Sequence, residues 1–126
     1  MLSGDHPGPK QLIWVGDSLK SLRDFPEDVK DEVGFALFQA QTGKMHLKAK
    51  PLKGFGAGVL EVLSDNRGDT FRAVYTVRLA GRVYVLHTFQ KKSKTGIATP
   101  KSEIELIKQR LKRAMELHES WEKQHG

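Results

Sequence analysis

Between Thr70 and Lys92 the chain alternates apolar and polar side chains with a period of two, interrupted at Ala80-Gly81. That pattern predicts two strands joined by a tight turn. In the first strand Phe71, Ala73, Tyr75, Val77 and Leu79 fall on one face, and Arg72, Val74, Thr76 and Arg78 on the other. One face is apolar and the other carries arginines. With Ala80 and Gly81 as the central turn residues, Leu79 pairs with Arg82, and counting outward sets His87 opposite Val74 and Phe89 opposite Arg72. Directly opposed residues share a face. Arg72, His87, Phe89 and Lys91 are therefore expected to gather on one side at one end of the hairpin, with Lys92 just past its strand.

The pattern elsewhere supplies what packs against this hairpin. Residues 1–10, with Gly4, Pro7, Gly8 and Pro9, are expected to be a flexible leader, and residues 11–126 a single domain. The apolar run Gln11-Leu-Ile-Trp-Val15 predicts a strand, ended by Gly16-Asp17. Asp17 is placed to cap a short helix reaching Arg23. Pro26 fits the first turn of a second helix, where Val29, Val33, Ala36, Leu37 and Ala40 follow helical spacing and Gly43 terminates. Met45–Gly58 is basic and glycine-rich and reads as a loop, Val59–Leu63 as a strand, and Ser64–Asp69 as a turn. After a polar loop over Ser93–Thr99, a long helix is predicted from about Thr99 to Lys123, capped by Thr99 with Pro100 or by Ser102 with Glu105. Ile104, Ile107, Leu111, Ala114, His118 and Trp121 form its apolar stripe. The fold class is α+β: an antiparallel twisted sheet with two N-terminal helices packed on it and a long C-terminal helix.

Charge and composition narrow the function classes. Residues 1–38 carry seven acidic and four basic side chains, net −3, and residues 39–126 eight acidic and seventeen basic, net +9. Such asymmetry suits a surface facing phosphates or an acidic partner. There is no cysteine, so thiol chemistry, disulfides and cysteine zinc sites are excluded. No apolar run is long enough to span a membrane and the start lacks the apolar core of a signal peptide, so a soluble, cytoplasmic protein is expected. His118 and His125 have no neighbouring ligand set, and neither metal nor cofactor is expected. Gly54-x-Gly56-x-Gly58 precedes a strand rather than opening a helix, so it reads as turn glycines and not as a phosphate cradle.

Gly54, the strand with Glu61, Phe71-Arg72-Ala-Val-Tyr75, Leu86-His87-Thr-Phe89, Lys91-Lys92 and Thr99-Pro100-x-x-Glu103 together resemble the toxins of the RelE/ParE superfamily, in particular its phage-derived HigB branch. The resemblance spans about residues 11–115. It implies a toxin of a type II toxin-antitoxin system: a small ribonuclease cutting messenger RNA on the ribosome, silenced by a cognate antitoxin, often of helix-turn-helix type. It also implies that Arg72, Lys91 and Lys92 stand at functional positions. The paired lysines that some nuclease members carry on the preceding strand have no match in Val59-Leu60-Glu61-Val62-Leu63; a glutamate at the position of Glu61 looks typical of the HigB branch.

Metal-independent RNA cleavage needs a base for the ribose 2′-hydroxyl, positive charge for the developing phosphorane and an acid for the leaving 5′-oxygen. Arg72 is the leading phosphate ligand, since a guanidinium grips two phosphate oxygens; a sheet-surface arginine paired with Glu61 is the plain alternative. Lys91 and Lys92 are candidate phosphate ligands, with one of them a candidate acid. His87 titrates near ~6.5 when unperturbed and is either catalytic or a hydrogen-bonded structural histidine. Glu61 qualifies as base only if it shares a face with Arg72. Lys48, Lys50 and Lys53 are candidates for RNA backbone contact, and Phe89 for base stacking or core packing. A second reading of another class also stands: a non-enzymatic binder, either a ParE-like inhibitor of DNA gyrase or a basic RNA-binding module.

Overall fold

The structure, a computed structural model, describes residues 8–91 and 99–125. In chain order it runs β1 (Gln11–Trp14), α1 (Ser18–Arg23), α2 (Glu27–Gln41), β2 (Ala49–Pro51), β3 (Val59–Asn66), β4 (Asp69–Thr76), β5 (Arg82–Lys91) and α3 (Lys101–His125). The strands form one sheet in the order β1-β5-β4-β3-β2, antiparallel except where β1 lies parallel to β5 at one edge.

Strand alternation divides the core into two. Leu60, Val62, Phe71, Ala73, Tyr75, Val83 and Val85 face α1 and α2 and pack with Leu22, Phe25, Val29, Val33, Ala36, Leu37 and Ala40. Val59, Val74, Tyr84, Leu86 and Phe89 face the other way and pack with Ile107 and Ala114 of α3. Helices therefore cover both faces of the sheet, and the face expected to display arginines is itself buried beneath α3.

Three local features depart from the sequence expectation. Arg67 and Gly68 adopt φ of 52° and 88°, forming the two-residue turn of a β3–β4 hairpin, so β3 continues to Asn66 instead of stopping at Leu63. Ala49–Pro51, within the expected loop, adds an edge strand to β3. Its alanine, lysine and proline are poor strand formers, so pairing with β3 rather than propensity makes it a strand. Asp17 precedes α1 but makes no side-chain cap; its carboxylate is taken by Arg110 of α3.

The β4–β5 register decides which side chains reach the face beneath α3. Arg72 pairs with Phe89 and Val74 with His87, as counting from Ala80-Gly81 predicts, but Tyr75 pairs with Val85 and Thr76 with Tyr84. The shift between Val74 and Tyr75 is a β-bulge that leaves Leu86 as an extra residue on β5. Without it, His87 and Phe89 would continue the alternation of Val83 and Val85 and point toward α2. The bulge turns them to the side of Arg72. Farther along α3, His118 Nδ1 meets the Tyr84 hydroxyl at 2.9 Å and the Arg82 guanidinium lies 4.7 Å from the Trp121 ring, anchoring the helix end to β5.

Candidate active site

Three adjacent strands set a row of charges on the face toward α3. Lys50 of β2 is paired with Glu61 of β3, and Glu61 lies diagonal to Arg72 of β4, which pairs with Leu63. Glu61 and Arg72 thus share a face. Arg72 Nη1 is 3.3 Å from Glu61 Oε2, and Lys50 Nζ is 3.7 Å from Glu61 Oε1. The pair is buried, Arg72 at 2% exposure and Glu61 at 5%. Ions so placed cost several kcal/mol to dehydrate and persist only with good partners. Arg72 Nη1 also donates to the Thr99 hydroxyl, which ties the strand to the start of α3. Lys50, Lys53, Glu61, Arg72, Thr99 and Ile104 line a cleft of about 490 Å³.

Lys91 is half-buried at the end of β5, opposite Thr70. Burial, then the neighbouring charge of Arg72, hold its ammonium below the usual lysine range, partly countered by Glu61. A lysine shifted that way gives up its proton more readily than a free one. Lys92 lies outside the described residues.

His87, the candidate proton carrier or structural histidine, sits beneath α3. It is buried at 6% exposure, and both ring nitrogens are engaged. Arg110 Nη1 approaches Nδ1 at 3.2 Å and Glu103 Oε2 lies 3.0 Å from Nε2. An arginine only donates, so Nδ1 accepts, and the proton sits on Nε2 facing the Glu103 carboxylate. Burial holds His87 below its ordinary value, outweighing the Glu103 carboxylate that raises it, with the Arg110 charge lowering it further. The ring is neutral at pH 7. Arg110 Nη2 meets Asp17 at 2.6 Å and Arg110 Nη1 donates to the Leu86 carbonyl at 3.1 Å. Gly16, at φ +58°, leaves room for this, since a Cβ there would meet the guanidinium at 2.8 Å. Asp17, Arg110, His87 and Glu103 form one chain of contacts that clamps α3 onto β5.

The remaining candidates separate. Lys50 and Lys53 line the cleft. Lys48 does not join them: it pairs at 2.8 Å with Glu32 of α2, which also accepts from Ser64. Phe89 is buried in the α3-side core and its ring stacks on His87 at 4.6 Å, so that face is closed to a base. No group of side chains able to hold a metal occurs among the described residues, and no helix among them is long and apolar enough to cross a membrane. Thr99 and Arg110 carry contacts that no periodicity argument assigned. Only the facing of Glu103 and Arg110 was legible, not their partners: Glu103, Ile107, Arg110 and Ala114 recur at spacings of four, three and four, so two charged residues ride beside the buried stripe.

Comparison with known proteins places the chain in a family and its fold beside a solved structure. The family model described as phage derived protein Gp49-like matches residues 20–112, so the chain belongs to that family. Among solved structures, a mutant of the E. coli toxin RelE in the free state matches with a TM-score of 0.55 and 16% identity, over 84% of this chain and 98% of that one. The likeness is one of fold, and it extends to the five-stranded sheet and the long C-terminal helix. No curated protein matches the sequence.

Proposed function

We propose that this member of the Gp49-like family is the toxin of a toxin-antitoxin pair, of the HigB-like branch, and that it cuts messenger RNA on the ribosome without a metal. One observation carries the proposal: Lys50, Glu61 and Arg72 meet at a single cleft on the α3 side of the sheet, and their charges act on the Lys91 ammonium at the end of β5. A fold shared with a protein named as a toxin supports it.

In this reading Arg72 and Lys50 hold the scissile phosphate and neutralise the charge that builds on its oxygens, from positions already organised before substrate arrives. Glu61 takes the proton of the ribose 2′-hydroxyl. The 2′-oxygen then attacks phosphorus and the bond to the 5′-oxygen breaks. Lys91, held below the usual lysine range, gives its proton to that oxygen, leaving a 2′,3′-cyclic phosphate and a 5′-hydroxyl end. Lys53 extends the phosphate track, Lys92 is a further phosphate ligand by its place in the sequence alone, and His87 keeps α3 in place rather than moving protons. The protein acts in the cytoplasm and is silenced by a cognate antitoxin of helix-turn-helix type.

Brief expression followed by mapping of RNA 5′ ends tests this. Cuts within translated frames are expected, and they should vanish in Lys91→Ala, a change at the end of β5 outside the buried Glu61–Arg72 pair. Cuts that persist in a folded Lys91→Ala variant would remove Lys91 from the chemistry. The engagement of Arg72 Nη1 by Glu61 and Thr99 favours a second reading, a binder of gyrase or RNA that does not cleave. Growth arrest without any cut would select it.

A further inference from the structure

Across the sheet from the cleft, α2 turns an apolar surface outward. Its inner side is buried as expected, yet Phe35 and Phe38 are 56% and 50% exposed, and Met45 and Leu47 just beyond the helix are 51% and 90% exposed. The Phe35 ring packs edge-on against His46 at 5.8 Å. That contact seats His46 against the helix, and the exposed Met45 and Leu47 flank it in sequence. Soluble proteins rarely leave such a cluster uncovered without a use for it. Gly34 adjoins it in mid-helix, with nothing within 4 Å of where its Cβ would stand. Glycine there destabilises the helix relative to alanine, and no contact within the chain requires it. What it provides is bare helix backbone beside two phenylalanines, room for another backbone to come close. The rim toward the start of α2 is acidic: Asp28 and Asp31 are exposed and make no ion pair among the described residues.

We propose that this face docks an amphipathic helix of the antitoxin, with its apolar stripe over Phe35, Phe38, Met45 and Leu47, its backbone near Gly34, and basic residues at one end against Asp28 and Asp31. The identity of the partner rests on the toxin reading; the chemistry of the occupant rests on the surface. Because α2 lies on the far side of the sheet from Arg72, the docking face and the cleft are separate surfaces.

The test measures affinity for the purified antitoxin and, independently, for a synthetic leucine-lysine amphipathic helix. Phe35→Ser with Phe38→Ser should weaken both about 100-fold and leave the thermal midpoint near wild type, since both rings are exposed. Asp28→Lys with Asp31→Lys should weaken both about tenfold at low salt and less at high salt. Gly34→Gln should raise the thermal midpoint of the free chain while weakening docking, an opposed pair that a purely structural glycine does not give. Unchanged affinity in the Phe35→Ser, Phe38→Ser variant overturns the proposal, as does failure of the wild-type chain to bind either probe. A wild-type dimer dissociated by the same two changes would instead assign the face to a second copy. A chain that binds antitoxin through this face yet neither arrests growth nor cuts RNA would sink the functional reading and leave the docking surface standing.

Discussion

The two faces of the sheet are built by the same three strands and both bury an apolar cluster, but only the α3 side sets a row of buried charges beside it. Toward α2, alternate residues of β3, β4 and β5 are Leu60, Val62, Ala73, Tyr75, Val83 and Val85. Burial pushes the one phenol there, Tyr75, up to about 12. Toward α3, the residues between them include Glu61, Arg72 and His87, all buried and all held by charged or polar partners. The first face contributes stability by excluding water. The second spends part of that stability on ions that only a fully formed structure can hold in place. Because alternation separates the two roles residue by residue, stability and chemistry should respond to different substitutions.

The largest effect is expected where the faces differ most. Arg72→Ala strands the Glu61 carboxylate in a buried site and should cost about 3–5 kcal/mol in urea unfolding. Replacing both partners, Arg72→Met with Glu61→Leu, should recover most of that loss while RNA cleavage stays absent. A single-variant loss under about 1 kcal/mol would mean that the pair is solvated and that the two faces do not differ in this way.

Leu37→Ala probes the dry face. Leu37 is 1% exposed, and its truncation should cost about 2–5 kcal/mol. RNA cleavage per folded molecule should be unchanged, which assays below the unfolding transition would read. Loss of cleavage without loss of stability would show that the two faces are coupled.

His87 gives the α3 side a pH dependence in the mildly acidic range. Its folded value lies below its unfolded one, so the unfolded chain binds more protons between the two. The stabilisation is complete above about pH 6.5, the unfolded value, and is lost as pH falls toward the folded value, by at most about 1.4 kcal/mol per pH unit. Protonation of Nδ1 also sets two donors, the ring and Arg110, against each other. In denaturation series at descending pH, His87→Gln should flatten this slope; an unaltered slope would place its origin elsewhere.

The smallest effects fall on two lysines separated by one residue. Lys48→Ala and Lys50→Ala each remove a partly exposed ion pair and should cost no more than about 1 kcal/mol. Only Lys50→Ala should weaken RNA binding, lowering the salt dependence of affinity by about one ion. Equal RNA defects would erase the distinction between the faces.

Much of this was legible in the chain itself. Helical spacing located α2 and the buried stripe of α3, and the Ala80-Gly81 turn, counted outward, paired Arg72 with Phe89 and Val74 with His87. That count succeeded at the far end and missed in the middle, where Tyr75 meets Val85, because a bulge carries no residue signature in β5. Edge strand β2 was hidden in a loop-like composition. The contacts of Asp17, Thr99 and Arg110 were hidden for another reason: hydrogen-bond partners far apart in sequence leave no local pattern.

By itself the sequence determined the order of the elements apart from β2, the alternating sides of β4 and the residue types available for chemistry at Glu61, Arg72 and Lys91, because periodicity and composition act locally. Only the tertiary structure decided that Glu61 faces Arg72, that Lys48 turns to Glu32 and away from Lys50, and that His87 is clamped by Glu103 and Arg110. Those outcomes depend on strand register, on one bulge and on the helix laid across the sheet, each set by packing among distant segments.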